Sequence, residues 1–412
     1  MSWSVCGLQR VRADFVMLAR EDDVCMSVVC RQFGISRKTG YKWLRRYKDK
    51  GLDGLIDLSR RPLSSPLELS GDAVALLLEL HTRYPGWGPK KLRARLIRDG
   101  RCQRKAPSVV TTARLARRLG WTKAKGRGRP PRNLPVGQLT GAGRPNDVWT
   151  VDFKGCWRTG DGRRCEPLSI RDLYSRYILC LRPMARRSTE AVRQVFVEVF
   201  GRYGLPAIIR TDNGSPFASL SSPAGLTRLS AWWLSLGIRL ERTMPGHPEQ
   251  NGGHERMHGD IARELESRPA ATMAEETERL EYWRIAFNAE RPHEALGMKV
   301  PGEVYRHSQR RLENVKPYNY PGNVTRRYVR RDGCIWMRSR YVYLGDAFIR
   351  MVIGLERLSE HRWRVWFCDM AVTELEQVDG RIRRCPVSVT AASEAIDCNP
   401  CPDNKLLPMC CS

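Results

Sequence analysis

Apolar positions in the first third of the chain recur at helical spacing. Met26 to Gly34 followed by Ile35 to Leu44 has the shape of two helices joined by a turn: Gly34 supplies the turn, Ser36 is a good N-cap, and Trp43 and Leu44 can face inward. Ala73, Val74, Leu76, Leu77, Leu80 and His81 make a second stripe. Trp87 to Leu96 opens another helix with Pro89 in its first turn, and Val109 to Leu119 reads as a recognition-type helix. From Asp147 the pattern changes to β-branched and aromatic runs alternating with helical stretches. Asp147 to Trp157, Cys165 to Ile170 and Arg176 to Leu181 predict antiparallel strands, the first two joined at Thr159-Gly-Asp-Gly162. Ser188 to Tyr203, Leu226 to Leu236, Glu249 to Glu266 and Glu275 to Asn288 predict helices, with strands at Ala207 to Arg210 and Ile238 to Glu241. That alternation builds an α/β core. Beyond Arg306, short aromatic runs at Thr325 to Val329, Gly333 to Met337, Arg340 to Leu344, Phe348 to Leu355 and Arg362 to Phe367 predict a small β-barrel-like domain.

The fold class is therefore multidomain: N-terminal all-α helix-turn-helix units, a central α/β core and a C-terminal small β-barrel-like domain. The expected boundaries are 1–62 and 63–122 for the helical units, 123–146 for a basic flexible linker, 147–306 for the core, 307–384 for the β-rich domain and 385–412 for a Cys-rich, disordered tail.

Charge narrows the partner. With 71 Lys and Arg against 44 Asp and Glu, the net charge of +27 and pI near 10.0 favour a polyanion. Gly100 to Asn146 holds no acidic residue. Arg114, Arg117, Arg118, Lys123, Lys125, Arg127 and Arg129 lie in that block and are candidate DNA contacts, as are Arg37, Lys38, Tyr41 and Lys42 on the groove side of the first helix-turn-helix. No stretch is long enough to span a membrane, and charges interrupt Met1 to Asp22, so cytoplasmic, nucleoid-associated residence is expected. The 14 cysteines are expected as reduced thiols; Cys398-Asn-Pro-Cys401 has one zinc-knuckle spacing without a second.

Three acids carry the chemistry: Asp152 in VWTVDFKG, Asp212 in AIIRTDNGSPF and Glu255 in QNGGHERMH. The first projects from a strand, the second stands at a strand end before a turn, and the third sits early in a helix, so the three can converge. Oxygen donors of this kind suit Mg2+. The words W-T-V-D-F-K, R-T-D-N-G-S-P-F, G-H-P-E-Q-N-G-G-H-E-R-M-H and F-N-A-E-R-P-H-E-A-L-G, in this order, resemble bacterial insertion-sequence transposases of the retroviral-integrase superfamily. That resemblance implies a ribonuclease-H-like core and an Asp-Asp-Glu triad of Asp152, Asp212 and Glu255 holding Mg2+, with Mn2+ able to substitute. It further implies end binding, strand cleavage and strand transfer by a homo-oligomer on double-stranded DNA. The gap from Asp212 to Glu255 is longer than the family's usual spacing, with the excess at Ser219 to Gly225. Asn213, Asn251, Arg256 and His258 are candidate phosphate or substrate contacts.

Two other classes stay open. His254-Glu255-Arg256-Met257-His258 is a literal H-E-x-x-H, the zinc-protease spelling, although no clear third ligand follows it. On the transposase reading its histidines contact phosphate or lie on a solvated face. A catalytically inactive DNA-binding regulator of the element would show the same composition.

Overall fold

The computed structural model describes residues 5–59, 69–102, 106–122, 139–220, 222–244 and 252–387. Residues Met1–Glu68 and Leu69–Ser412 form two compact units. In the first, α1 (Val5–Leu18), α2 (Met26–Gln32) and α3 (Arg37–Lys50) close around Phe15, Val16, Val29, Cys30, Trp43 and Leu55. Gly34 turns the chain at φ +64°, and the Ser36 hydroxyl accepts the Thr39 N–H at 3.2 Å to cap α3. Gly40 lets α3 lie against its neighbours, since a Cβ there would stand 2.6 Å from the Cys30 Sγ.

The second unit opens with α4 (Gly71–Arg83), α5 (Pro89–Asp99) and α6 (Val109–Arg118), packed through Leu77, Leu80, Trp87, Leu92, Leu96 and Leu115. Serines at 70 and 108 cap α4 and α6, and Pro89 starts α5. There follow β1 (Val148–Phe153), the short hairpin β2 (Trp157–Arg158) and β3 (Arg164–Cys165), β4 (Pro167–Asp172), β5 (Ile178–Pro183), α7 (Thr189–Tyr203), β6 (Ile208–Thr211), α8 (Arg228–Ser235), β7 (Arg239–Arg242), α9 (Gly252–Ile261) and α10 (Met273–Glu290). The sheet order is β5-β4-β1-β6-β7: β1 pairs antiparallel with β4 and parallel with β6. One face carries α7 and α8 over Trp149, Val151 and Ile209. The other carries α9 and α10 over Trp157, Ile178 and Leu181. The first predicted strand is thus shorter than expected. It ends at Phe153, breaks at the exposed Gly155, and Trp157 begins the small hairpin instead.

After α11 (Pro301–Val304) come β8 (Val324–Tyr328), β9 (Cys334–Met337), β10 (Arg340–Tyr343), β11 (Val352–Arg357), β12 (Arg362–Phe367), β13 (Met370–Val378) and β14 (Arg381–Cys385). They form a five-stranded antiparallel sheet, β14-β13-β12-β11-β8, beside the β9-β10 hairpin. Its core includes Leu226, Ala231 and Leu234, from α8 and the residues before it. Cys385 corrects the expected start of the tail: it pairs with Glu374 as the last residue of β14. Cys398 and Cys401 lie outside the described residues. Cys25, Cys30, Cys102, Cys156, Cys165, Cys180, Cys334, Cys368 and Cys385 are free thiols, and no described helix is long and apolar enough to cross a membrane.

Candidate active site

The parallel register of β1 and β6 aligns the two aspartates. Val148 faces Ile208, Trp149 faces Ile209 and Thr150 faces Arg210. Carried two residues further, the same register sets Asp152 level with Asp212, and neighbouring strands lie about 4.8 Å apart. Side chains alternate along a strand, so Asp152 shares the face of Thr150, the face that α9 covers. Asp212 is exposed at the end of β6, one oxygen accepting the Gly214 N–H at 3.0 Å. Asp152 is half-buried opposite Ser169 of β4.

Arg187 stands by both carboxylates. Its guanidinium bonds Glu166 and stacks 4.6 Å over the Phe153 ring. Its proton is held more tightly than usual, first by Glu166 and then by the charges of Asp212 and Asp152. Lys154, buried next to the strand end, pairs with Glu266 just beyond α9 and lies over the Trp157 ring.

α9 is anchored by histidine. His254 is 1% exposed; its Nε2 shares a 2.6 Å hydrogen bond with Thr150 Oγ1, and its Nδ1 a 3.2 Å bond with Ser169 Oγ. His258, one turn on, reaches the same Ser169 hydroxyl with Nε2 at 3.2 Å. Burial, then the charges of His258 and Arg171, hold His254 neutral well below the usual imidazole range. Burial first, with Lys154 and Arg171 behind it, takes His258 down to about 4. The expectation of a solvated histidine face is therefore corrected, because α9 turns His254 into the sheet to satisfy two buried hydroxyls. Glu255, the next residue, is exposed and makes no ion pair among the described residues.

Ligand atoms of Asp152, His254 and His258 lie within 4.8 Å of one another. The fold thus supplies the third ligand that no residue after the H-E-x-x-H offered. Against a zinc site, both ring nitrogens of His254 are engaged by hydroxyls, and Glu255 turns to solvent while His254 is buried.

Among the other candidates, Asn213 donates to the Thr243 carbonyl at 2.7 Å, and Arg256 is exposed beside Glu255. Asn251, Lys123, Lys125, Arg127 and Arg129 lie outside the described residues. Arg37, Lys38, Tyr41 and Lys42 are exposed on α3 in the first unit, and Arg114, Arg117 and Arg118 are exposed on α6 in the second. Sequence reasoning passed over Arg171, Arg187, Thr150 and Ser169. An arginine inside the apolar strand PLSIRD was the one available signal for Arg171.

Comparison with known proteins follows this geometry. Residues 142–248 and 236–301 each match an Integrase core domain family. Residues 11–62 match a Helix-turn-helix domain and residues 39–116 a Homeodomain-like domain. An Insertion element IS407 uncharacterized 31.7 kDa protein from Burkholderia multivorans (strain ATCC 17616 / 249) is 27% identical over 253 residues, which is 60% of this chain and 87% of that protein. The Gag-Pol polyprotein of Baboon endogenous virus (strain M7) is 28% identical over 132 residues, covering 32% of this chain and only 7% of the polyprotein. Among solved structures, the HTLV-2 integrase catalytic core domain superposes with a TM-score of 0.31 at 16% identity, over 40% of this chain and 98% of that one. The simian T-cell lymphotropic virus intasome, in complex with PP2A regulatory subunit B56 gamma, gives 0.35 at 16% identity, over 75% and 96%. Both superpositions are too loose to carry residue roles across. The integrase-core matches, the helix-turn-helix matches ahead of them and the insertion-element relative support placing this chain with insertion-sequence transposases of the integrase superfamily.

Proposed function

We propose that this chain binds the ends of its element as a homo-oligomer on cytoplasmic, nucleoid DNA, hydrolyses a phosphodiester there, and joins the freed 3′-hydroxyl to target DNA. The observation that supports the reading is the parallel β1/β6 register, which runs from Val148–Ile208 to Thr150–Arg210 and, extended two residues, would bring Asp152 beside Asp212. The donor set fits Mg2+, and Mn2+ in its place: all three ligands are hard carboxylate oxygens, and Asp212 and Glu255 are exposed. Asp152, Asp212 and Glu255 would hold such ions. Bound there, the ions would supply activation of a water and stabilisation of the leaving oxygen. Arg187 lies near both aspartates, and neutral His254 fixes the angle at which α9 presents Glu255. Arg37, Lys38, Tyr41 and Lys42, with Arg114, Arg117 and Arg118, hold the DNA.

The test is cleavage of labelled end-repeat duplex. Asp152→Asn and Asp212→Asn keep shape and lose charge, so each should abolish cutting and joining while end binding stays within about twofold. Cutting that survives Asp152→Asn ends the assignment. The zinc reading has the Asp152, His254 and His258 cluster behind it, and it requires peptide hydrolysis that disappears with either histidine. A wild type that binds ends and never cuts under Mg2+ or Mn2+ is the inactive regulator.

A further inference from the structure

The sheet face that bears Asp152 also holds a buried charge with no counter-charge among the described residues. Arg171 lies on β4 opposite Thr150, two residues from Ser169, so its side chain shares the face of Asp152 about 7 Å along the strand. It is 5% exposed, its guanidinium forms no hydrogen bond or ion pair among the described residues, and its Nε is buried without a partner. It is aimed at the N-terminus of α9: a Cβ on Gly253 would lie 2.8 Å from the Arg171 Nη1. That is the reason for glycine at this position.

Among the described residues nothing nearby neutralises it. Burial, then the charge of Arg176, disfavours the Arg171 cation; Arg256 acts in the same sense, and Asp172 is the acid that opposes them. The Asp172 carboxylate, however, is already occupied by the N–H groups of Asn146 and Ser175, each at 2.7 Å. His293, whose Nε2 is buried and unpartnered, also feels Lys91, Arg171, Arg291 and Arg176. Arg291 differs from Arg171 in being paired, at 2.5 Å with Asp260 and 3.1 Å with Glu264. A fold rarely keeps a buried cation uncompensated, and a helix N-terminus adds unpaired N–H groups and the positive end of a dipole. Together these features make an anion site.

We propose that Arg171, Arg176, Arg256 and the N-terminus of α9 form a pocket for one phosphodiester of the DNA strand that enters the carboxylate site. This rests on the transposase reading, and it adds a fixed phosphate position about two strand residues from Asp152. The phosphate supplies the missing counter-charge, and in return it sets the register of the strand against Glu255, which follows Gly253 by two residues.

The experiment is thermal unfolding of the full chain in sodium phosphate and in sodium chloride at matched ionic strength, for wild type, Arg171→Met and Arg256→Gln. Phosphate should raise the wild-type midpoint about 2–4 °C above chloride. Arg171→Met, similar in volume and uncharged, should lose that increment and unfold in chloride no earlier than wild type. A wild type indifferent to phosphate, or an increment that survives Arg171→Met, overturns the pocket. If Arg171→Met does not fold, the exposed Arg256→Gln decides, with the increment expected to fall by about half. For binding to an end-repeat duplex, Arg256→Gln should lower the salt slope by about one; an unchanged slope overturns the diester assignment. Failure of the wild type to cut DNA, with the phosphate increment intact, removes the transposase reading and leaves the anion pocket.

Discussion

Both five-stranded sheets bury a charge, and they treat it in opposite ways. In the C-terminal sheet Glu374 is 0% exposed, and Arg362 at 2.6 Å and Arg364 at 3.4 Å close on it from the next strand. In the central sheet Arg171 is almost as deeply buried, and among the described residues no acid closes on it. The first is complete within the protein and belongs to architecture. The second becomes complete only when an anion arrives, and it lies beside the carboxylates on which the chemistry is proposed.

The largest stability effect should come from breaking the complete set. Glu374→Ala removes the buried acid that Arg362 and Arg364 share and should cost about 3–5 kcal/mol, measured by denaturant unfolding. Arg171→Met removes a charge that already lacks a partner and should stay within about 1 kcal/mol of wild type. Equal losses would erase the distinction between the two sheets.

Charges left in water give a third case. Arg37 and Lys38 are exposed on α3, so replacing both with alanine should leave the unfolding midpoint unchanged within about 1 °C. The same change should weaken end-repeat binding by about 1–3 kcal/mol more than binding to random duplex. Equal weakening on both duplexes would show that these residues hold phosphate and do not read bases.

Histidine gives the smallest effect. Burial first, and then Lys91 and the arginines around it, holds His293 down at about 3, whereas an unfolded imidazole takes a proton near 6.5. The unfolded chain therefore binds more protons between those values, so stability is full above pH about 6.5 and declines as pH falls toward 3. His254 and His258 act in the same direction. His293→Gln should make the decline shallower without removing it, and an unaltered slope would deny His293 any part in it.

The order of elements was legible because local signals agreed: Ser36, Ser70, Ser108 and Ser188 each cap the helix expected to follow. Placing Asp152 in a strand, Asp212 at a strand end and Glu255 early in a helix needed only such local cues. Pairing was not legible. Nothing in VWTVDF says that β6 lies parallel beside it, yet that register is what runs the two strands side by side toward Asp152 and Asp212. His254 shows a related limit, since its neighbours Thr150 and Ser169 come from strands about a hundred and about eighty-five residues away in sequence. β13 escaped notice because Glu374 points inward, so MAVTELEQV lacks the alternation by which a half-buried strand is recognised. The pocket at Arg171 was hidden for the same reason, because an unpaired charge is visible only once its surroundings are known.

The central claim is that carboxylates, and not the neighbouring imidazoles, hold the catalytic metal. The most direct measurement compares Glu255→Gln with His258→Gln for cutting of one labelled end-repeat duplex under Mg2+, with end binding measured alongside. The account predicts that Glu255→Gln lowers the cutting rate by about a thousandfold or more at unchanged binding, while His258→Gln costs no more than about tenfold. Cutting that withstands Glu255→Gln and disappears with His258→Gln would contradict it.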